Sequence, residues 1–191
     1  MAKSQPINYI RVAEVLTELG MITQETAQSV IADFGDLAHS EMKPGHEIAS
    51  SLEDFGVAVS IHADDVDFAD QHYEWLLGEA AALTGGKVTV DNYRFHKEDP
   101  DDEDAGRGTL YFECNGKELS FLIEQESNDY LDMTAAQAAI EALSPDDDPR
   151  SFRCADCGPD TLGHDDVMVW ATAEQREGLF QHLGITFKEP W

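Results

Sequence analysis

The chain has 191 residues, 42% of them hydrophobic, which suits one globular domain. Its 39 Asp and Glu residues oppose 12 Lys and Arg residues, giving a formal net charge of −27. Such a surface repels nucleic acid phosphates and anionic lipids, and it attracts basic proteins. The composition therefore argues against direct binding to nucleic acid or membrane and predicts a basic protein as partner.

Cysteine usage and hydropathy predict the compartment. The three cysteines are an odd number, which argues against a disulfide framework. The N-terminus lacks the apolar run of a signal peptide, and no stretch reaches about 18 consecutive apolar residues. We expect a cytoplasmic protein with reduced thiols.

Residues 1–56 are predicted to be a helical N-terminal segment of the single domain. Apolar residues recur at about helical spacing over residues 7–19. Thr23 is a favourable N-cap for a second helix, and a short third helix is expected over residues 47–55. Residues 57–191 then form the predicted sheet-containing core.

The core begins with alternating strand and helix patterns. Residues 57–61 are β-branched and short enough for a strand, and a long helix is expected over about residues 66–83. A second strand is expected over residues 87–95. This order predicts a strand–helix–strand crossover unit. The predicted buried stripe of the helix consists of Phe68, His72, Trp75, Leu76 and Leu83.

A β-hairpin is predicted over residues 109–125. Asn115-Gly116 is a strong hairpin signal, because a type I′ turn needs positive φ at both central residues. The flanking segments are rich in aromatic and β-branched residues, which suit a half-buried sheet. We therefore predict an α+β fold, with a mainly antiparallel sheet around this central hairpin and helices packed on it.

Two helices near the C-terminus are predicted from capping boxes. The pairs Thr134 with Gln137 and Thr172 with Gln175 have the spacing at which each side chain satisfies a backbone donor near the other residue. A late strand is expected over residues 167–170, before the second of these helices.

Three acidic clusters are the candidate partner-binding sites. Solvated loops and a helix start are the expected positions of such charge runs. The candidates are Asp99, Asp101, Asp102, Glu103 and Asp104 in one loop, Asp146, Asp147 and Asp148 in a second loop, and Asp64, Asp65, Asp67 and Asp70 at the start of the long helix.

One cysteine pair has metal-ligand spacing. Cys154 and Cys157 are separated by two residues, and His164 follows, so these side chains are candidate zinc ligands. A strong zinc signature pairs two such motifs, and this chain has one. The alternative is a turn with two incidental thiols.

His62 and Asp64 are candidates for a different chemistry. Together with the acids that follow, they form a carboxylate and imidazole cluster suited to a divalent cation or to acid–base catalysis in a hydrolase. The cluster also coincides with a predicted helix start, where Asp is favoured for capping alone.

The chain resembles bacterial immunity proteins of the polymorphic-toxin systems. The resemblance is carried by a compact acidic α+β pattern, by the absence of nucleophile-elbow and phosphate-loop motifs, and by the strand–capping-box–helix ending over residues 169–175 and 183–185. It implies a cytoplasmic inhibitor that binds a cognate toxin, often a basic nuclease or nucleic-acid-modifying enzyme. It assigns no site residue and no cofactor.

Two further explanations of the acidity stay open. One is a nucleic-acid mimic with several basic partners, because clustered carboxylates can replace phosphates. Alternatively, the acidity provides solubility or adaptation to high salt, and then no partner is implied.

Overall fold

The computed structural model describes residues 6–63, 69–99, 101, 107–124, 129–158 and 165–189. Within these ranges the chain forms an α+β fold with antiparallel sheets, as predicted. The helices are α1 (Tyr9–Glu18), α2 (Gln24–Phe34), a 3-10 helix (Gly35–His39), α3 (His46–Asp54), α4 (Ala69–Leu83), α5 (Met133–Glu141) and α6 (Ala173–Leu183). The strands are β1 (Ala58–His62), β2 (Val90–Lys97), β3 (Arg107–Cys114), β4 (Lys117–Glu124), β5 (Arg150–Asp156), β6 (Asp165–Thr172) and β7 (Thr186–Phe187).

The strands form two sheets. A four-stranded sheet has the order β1-β6-β5-β7, and a three-stranded sheet has the order β2-β3-β4. The predicted hairpin is β3 and β4, and its turn has positive φ at Asn115 (52°) and Gly116 (77°). The strand–helix–strand segment is not a crossover within one sheet, because β1 and β2 belong to different sheets.

The four-stranded sheet is covered on both faces, and β6 is therefore almost entirely buried. Along β6, Met168 and Trp170 pack into one apolar cluster with α4, α5 and the inner face of the three-stranded sheet. Val167 and Val169 pack into a second cluster with α1, α3 and α6. This alternation follows from the two-residue period of a strand. The N-terminal helices therefore cover the face of the sheet to which Val167 and Val169 point.

The buried face of α4 differs from the predicted stripe. Tyr73, Leu76, Leu77 and Ala80 are buried, at spacings that place them on one side of a helix, whereas Trp75 is 50% exposed. The prediction that Leu76 is buried is confirmed, and the prediction that Trp75 is buried is wrong. A run of apolar residues from Trp75 to Leu77 allows more than one helical face, and packing on the sheet selects among them.

The caps of the last two helices have different origins. Thr172 and Gln175 form the predicted capping box at the start of α6. The predicted box at Thr134 is wrong, because α5 begins earlier and Asp132 is its N-cap, with its carboxylate accepting from the Ala135 backbone N–H at 3.0 Å. A carboxylate at this position satisfies a free backbone donor and also complements the helix dipole.

This difference gives a stability test. We expect Thr172→Ala to lower the free energy of unfolding by about 1 kcal/mol, because it removes a cap hydrogen bond. Thr134→Ala is the matched control and is expected to change it by less than about 0.5 kcal/mol. Urea unfolding followed by circular dichroism measures both. A loss at Thr134 equal to that at Thr172 would contradict this assignment of the caps.

Candidate functional site

The acidic loop between β2 and β3 is anchored at the end of the three-stranded sheet. Beyond the last β2 pairing, the backbone N–H of Glu98 donates to the Arg107 carbonyl at 2.9 Å. Asp99 and Asp101 are exposed, and the Asp101 backbone N–H donates to the Asp99 carboxylate at 3.0 Å. The ladder thus holds the base of the loop, and these carboxylates face solvent. The other candidates of this cluster, Asp102, Glu103 and Asp104, lie outside the described residues.

The three-stranded sheet has one buried face, and its other face is left uncovered by the residues that the structure describes. Leu110, Phe112 and Ile123 point into the apolar core and are fully buried. Because side chains alternate along a strand, their neighbours in the sequence point to the other side. We call this side the outer face; it consists of Asp91, Arg94, His96, Arg107, Thr109, Tyr111, Glu113, Glu118, Ser120, Leu122 and Glu124.

Tyr111 occupies the middle of the outer face. The Arg94 guanidinium lies 5.6 Å from the centroid of the Tyr111 ring, and the His96 ring lies 5.2 Å from it. Arg94 also forms an ion pair with Glu118 of β4. A half-buried aromatic ring flanked by two nitrogen-bearing side chains presents both apolar and polar atoms to a partner.

A shallow concavity joins the outer face to the acidic loop. It has a volume of about 450 Å³ and includes Glu98, Leu122 and Glu124 in its lining. Leu122 is 65% exposed, a large value for a leucine in a sheet. Gly108 also lines it, and a Cβ atom there would collide with the His96 carbonyl oxygen, so the close approach of β2 and β3 requires glycine. Exposed apolar surface therefore adjoins carboxylates at this end of the sheet.

The second candidate cluster divides into two exposed residues and one buried residue. Asp146 and Asp147 face solvent, whereas the side chain of Asp148 is 1% exposed. Its carboxylate accepts from Arg150 Nε at 3.0 Å and Nη2 at 2.8 Å, and Lys87 Nζ lies 2.5 Å away. The hydrogen bonds from Arg150 hold the pKa of Asp148 well below its ordinary value, against the effect of burial. Asp148 is therefore a structural residue, and we omit it from the partner-binding set.

The third candidate cluster is only partly described. Asp64, Asp65 and Asp67 lie outside the described residues, and Asp70 lies in α4 without a described side chain.

The described neighbours of this cluster are histidines and one carboxylate. His62 Nδ1 lies 2.7 Å from Asp165 Oδ1, in an exposed pair that joins the ends of β1 and β6. Burial, with His62 nearby, lowers the pKa of His72. The His62–Asp165 pair has the geometry of an imidazole oriented by a carboxylate, as in acid–base catalysis.

The cysteine pair lies in a buried environment. Cys154 and Cys157 are buried, and both thiols lie within hydrogen-bond distance of the Ala155 carbonyl, at 3.4 and 3.7 Å. Burial and the nearby carboxylate of Asp166 raise the pKa of Cys154 to about 12 and that of Cys157 to about 11. Both thiols are therefore protonated at neutral pH.

The rest of a zinc ligand set is not brought to the cysteine pair in the part of the chain that the structure describes. Cys114, the third cysteine of the chain, belongs to the other sheet, and His164 lies outside the described residues. Among the described residues, no group of three or more His, Cys, Asp or Glu side chains is arranged to hold a metal ion.

The centre of the outer face was not among the sequence candidates. The signal that identifies it is the alternation within the hairpin: Tyr111 and Leu122 are out of phase with the buried Leu110, Phe112 and Ile123. Two large apolar residues on a face whose other positions are mostly polar predict a contact surface.

The comparisons with known proteins leave the chain without an identified relative. No protein-family model, no curated protein and no solved structure matches it. In the described residues, no helix has both the length and the apolar character needed to cross a membrane.

Proposed function

We propose that this chain is a cytoplasmic inhibitor of a basic toxin, of the immunity-protein type, and that it blocks a cationic active site with its acidic loop. The single observation that supports the proposal is the position of the described base of that loop, where Glu98 lines the same concavity as the exposed Leu122. Acidic residues next to apolar surface are what a protein needs to bind a cationic cleft.

Charge and apolar surface have separate roles in this proposal. A net charge of −27 accelerates encounter with a basic protein. The Debye length at physiological salt is about 8 Å, so a dense loop contributes more than charges spread over the surface. Affinity comes from a few desolvated anchors, and Tyr111 and Leu122 are the large apolar side chains that the outer face offers for that role.

Affinity capture from lysate of the native host, followed by mass spectrometry, tests the proposal. We expect one basic partner that is a nuclease or another nucleic-acid-modifying enzyme, whose activity the purified chain inhibits. Capture of many unrelated DNA-binding proteins would replace the proposal with nucleic-acid mimicry. A captured basic enzyme whose activity is unchanged at saturating inhibitor would refute it.

Neutralising the acidic loop is expected to slow association with that partner. The variant carries Asp101→Asn, Asp102→Asn, Glu103→Gln and Asp104→Asn, and we expect an association rate lower by about tenfold at low salt, with a flatter salt dependence. Stopped-flow fluorescence at several ionic strengths measures both quantities.

The control for this variant removes the same charge from the opposite half of the chain. Its positions are exposed residues of the N-terminal helices and their connections, namely Glu25, Asp33, Asp36 and Glu41, changed to the corresponding amides. We expect the control to retain most of the rate. An unchanged rate in the loop variant would remove the loop from the interface.

A second candidate function is a hydrolase centred on His62. The exposed hydrogen bond between His62 and Asp165 favours it, because a carboxylate-oriented imidazole can act as a general base. Elemental analysis of the purified protein tests whether this hydrolase is metal-dependent and uses His62 and Asp64 as ligands. A stoichiometric metal ion in the wild type that is absent from His62→Ala would favour the hydrolase.

A further inference from the structure

Three of the four sheet edges are protected against another strand in the described part of the chain. At β1, Glu53 accepts from the outward backbone N–H of Ser60 at 3.2 Å. β7 has only two residues. In β2 the pairing shifts between Asp91 and Arg94, and Asn92 has a φ of 52°. Short edge strands, bulges and side chains that cap edge amides are the usual protections.

The fourth edge, β4, is long and regular. Its eight residues pair with β3 without a break, from Cys114 with Lys117 to Arg107 with Glu124. A two-residue turn makes Cys114 and Lys117 a hydrogen-bonded pair, so even-numbered residues of β4 point their backbone groups away from β3. The Glu124 N–H agrees with this outward orientation of the even-numbered residues, because it donates to the Asp132 carboxylate at 2.9 Å.

The outward N–H groups of Glu118, Ser120 and Leu122 remain without a hydrogen-bond partner among the described residues. All three residues are exposed, so these groups are open to solvent and to an incoming chain. They lie next to the uncovered outer face, whose exposed apolar residue, Leu122, is on this same strand.

We propose that β4 accepts an extended segment of a basic partner as a fourth strand of the three-stranded sheet. The inference rests on the proposed function and locates the contact that the partner makes. Main-chain hydrogen bonds supply affinity in this mode, and alternate side chains supply specificity. The added strand would place every second side chain beside the outer face.

The charges along β4 determine the kind of segment. Glu118, which forms an ion pair with Arg94, is near one end of the strand. Glu124, which lies opposite Arg107, is at the other end together with Asp132. Leu122 lies between them on the outer face. A segment whose outer-face side chains are Lys or Arg places positive charge near Glu124 and Asp132, and the aliphatic part of such a side chain can cover Leu122.

A second copy of the chain does not suit the same edge. Antiparallel self-pairing centred on Phe121, with the outer faces on one side, would place Glu118 of each copy opposite Glu124 of the other. Like charges directly opposite each other destabilise a sheet. Each copy also carries a net charge of −27, which opposes association at any register.

Two peptides with equal charge test the inference on the full chain. One is an eight-residue peptide of alternating Lys and Val, and the other alternates Lys and Pro, which lacks the N–H groups needed for a strand. We expect the Lys–Val peptide to bind about tenfold more tightly, because only it forms backbone hydrogen bonds. Calorimetry measures the affinities, and NMR-detected hydrogen exchange is expected to show slower exchange at Glu118, Ser120 and Leu122.

A substitution in β4 separates strand addition from charge attraction. Ser120→Pro removes an outward N–H and leaves the β3–β4 ladder intact, so it should abolish the preference for the Lys–Val peptide. Ser120→Ala is the matched control and should keep that preference. Exchange of the wild-type amides tests the same contact without relying on the fold of the proline variant.

The outcomes distinguish this inference from the proposed function. Equal binding of both peptides without protection of the three β4 amides would overturn strand addition, while binding of basic partners would stand. If neither the Lys–Val peptide nor the Lys–Pro peptide binds better than a Glu–Val peptide, both strand addition and the proposed binding of basic partners would be overturned. Self-association of the chain with protection of the same amides would assign the edge to a second copy and overturn the proposed partner.

Discussion

Replacing Asp148 with alanine is expected to lower the free energy of unfolding by about 3 kcal/mol. The buried carboxylate holds Arg150, whose backbone N–H it also accepts at 2.8 Å, and it pairs with Lys87 from the segment after α4. Arg150 in turn lies 5.1 Å from the ring of Trp170. The substitution removes the contacts of the carboxylate with Arg150 and Lys87, and it leaves the backbone donor of Arg150 without this acceptor.

The same residue is expected to give a distinct pH dependence. Its pKa in the folded protein is lower than in the unfolded chain, mainly because of the hydrogen bonds from Arg150. Its contribution to stability is therefore complete above the pKa of the unfolded chain, about 4, and is lost as pH falls toward the pKa of the folded protein. Wild type and variant should differ by a constant amount from about pH 5 to 8 and converge at lower pH.

Asp147→Ala is the matched control for Asp148→Ala. Asp147 is exposed, and we expect its replacement to change the free energy of unfolding by less than about 0.5 kcal/mol. Guanidinium chloride unfolding at several pH values measures both variants. Equal losses for the two would mean that Asp148 is not the buried partner of Arg150 in solution.

The contrast between Asp147 and Asp148 shows why part of the site was not accessible to sequence reasoning. Three consecutive aspartates indicate a solvated loop, and that holds for Asp146 and Asp147. The partner Lys87 is distant in the sequence, and only the packing of α4 and α5 brings it to Asp148. Acidic clusters can be predicted from sequence, but the burial of one member depends on tertiary contacts.

In the fold, too, features that depend on nearby residues could be predicted, and features that depend on long-range contacts could not. The hairpin at Asn115-Gly116 and the capping box at Thr172 were predicted correctly, because both depend on residues within a few positions. The capping box at Thr134 failed, because Asp132 caps the helix and Gln137 instead donates to Asp166 of β6. The division of the strands into two sheets also depends on long-range pairing, which local patterns do not specify.

Asp166 provides the second large expected effect. Its carboxylate accepts a hydrogen bond from the buried Gln137 amide and from Lys188 Nζ, which lies 2.7 Å away. The backbone N–H of Lys188 also donates to the Cys154 carbonyl at 2.9 Å, so this network ties α5 and the segment after β7 to the four-stranded sheet. We expect Asp166→Ala to lower the free energy of unfolding by about 3 kcal/mol, because the Gln137 amide loses this buried acceptor.

Asp165→Ala is the control for this position, since it removes a neighbouring carboxylate whose partner, His62, is exposed. We expect it to lower the free energy of unfolding by less than about 1 kcal/mol. The double variant Gln137→Leu with Asp166→Leu should recover much of the stability lost in Asp166→Ala, because both buried polar partners are removed together and Lys188 reaches solvent. Thermal and urea unfolding measure the three variants. A double variant less stable than Asp166→Ala would show that the Gln137–Asp166 contact is not what makes the single change costly.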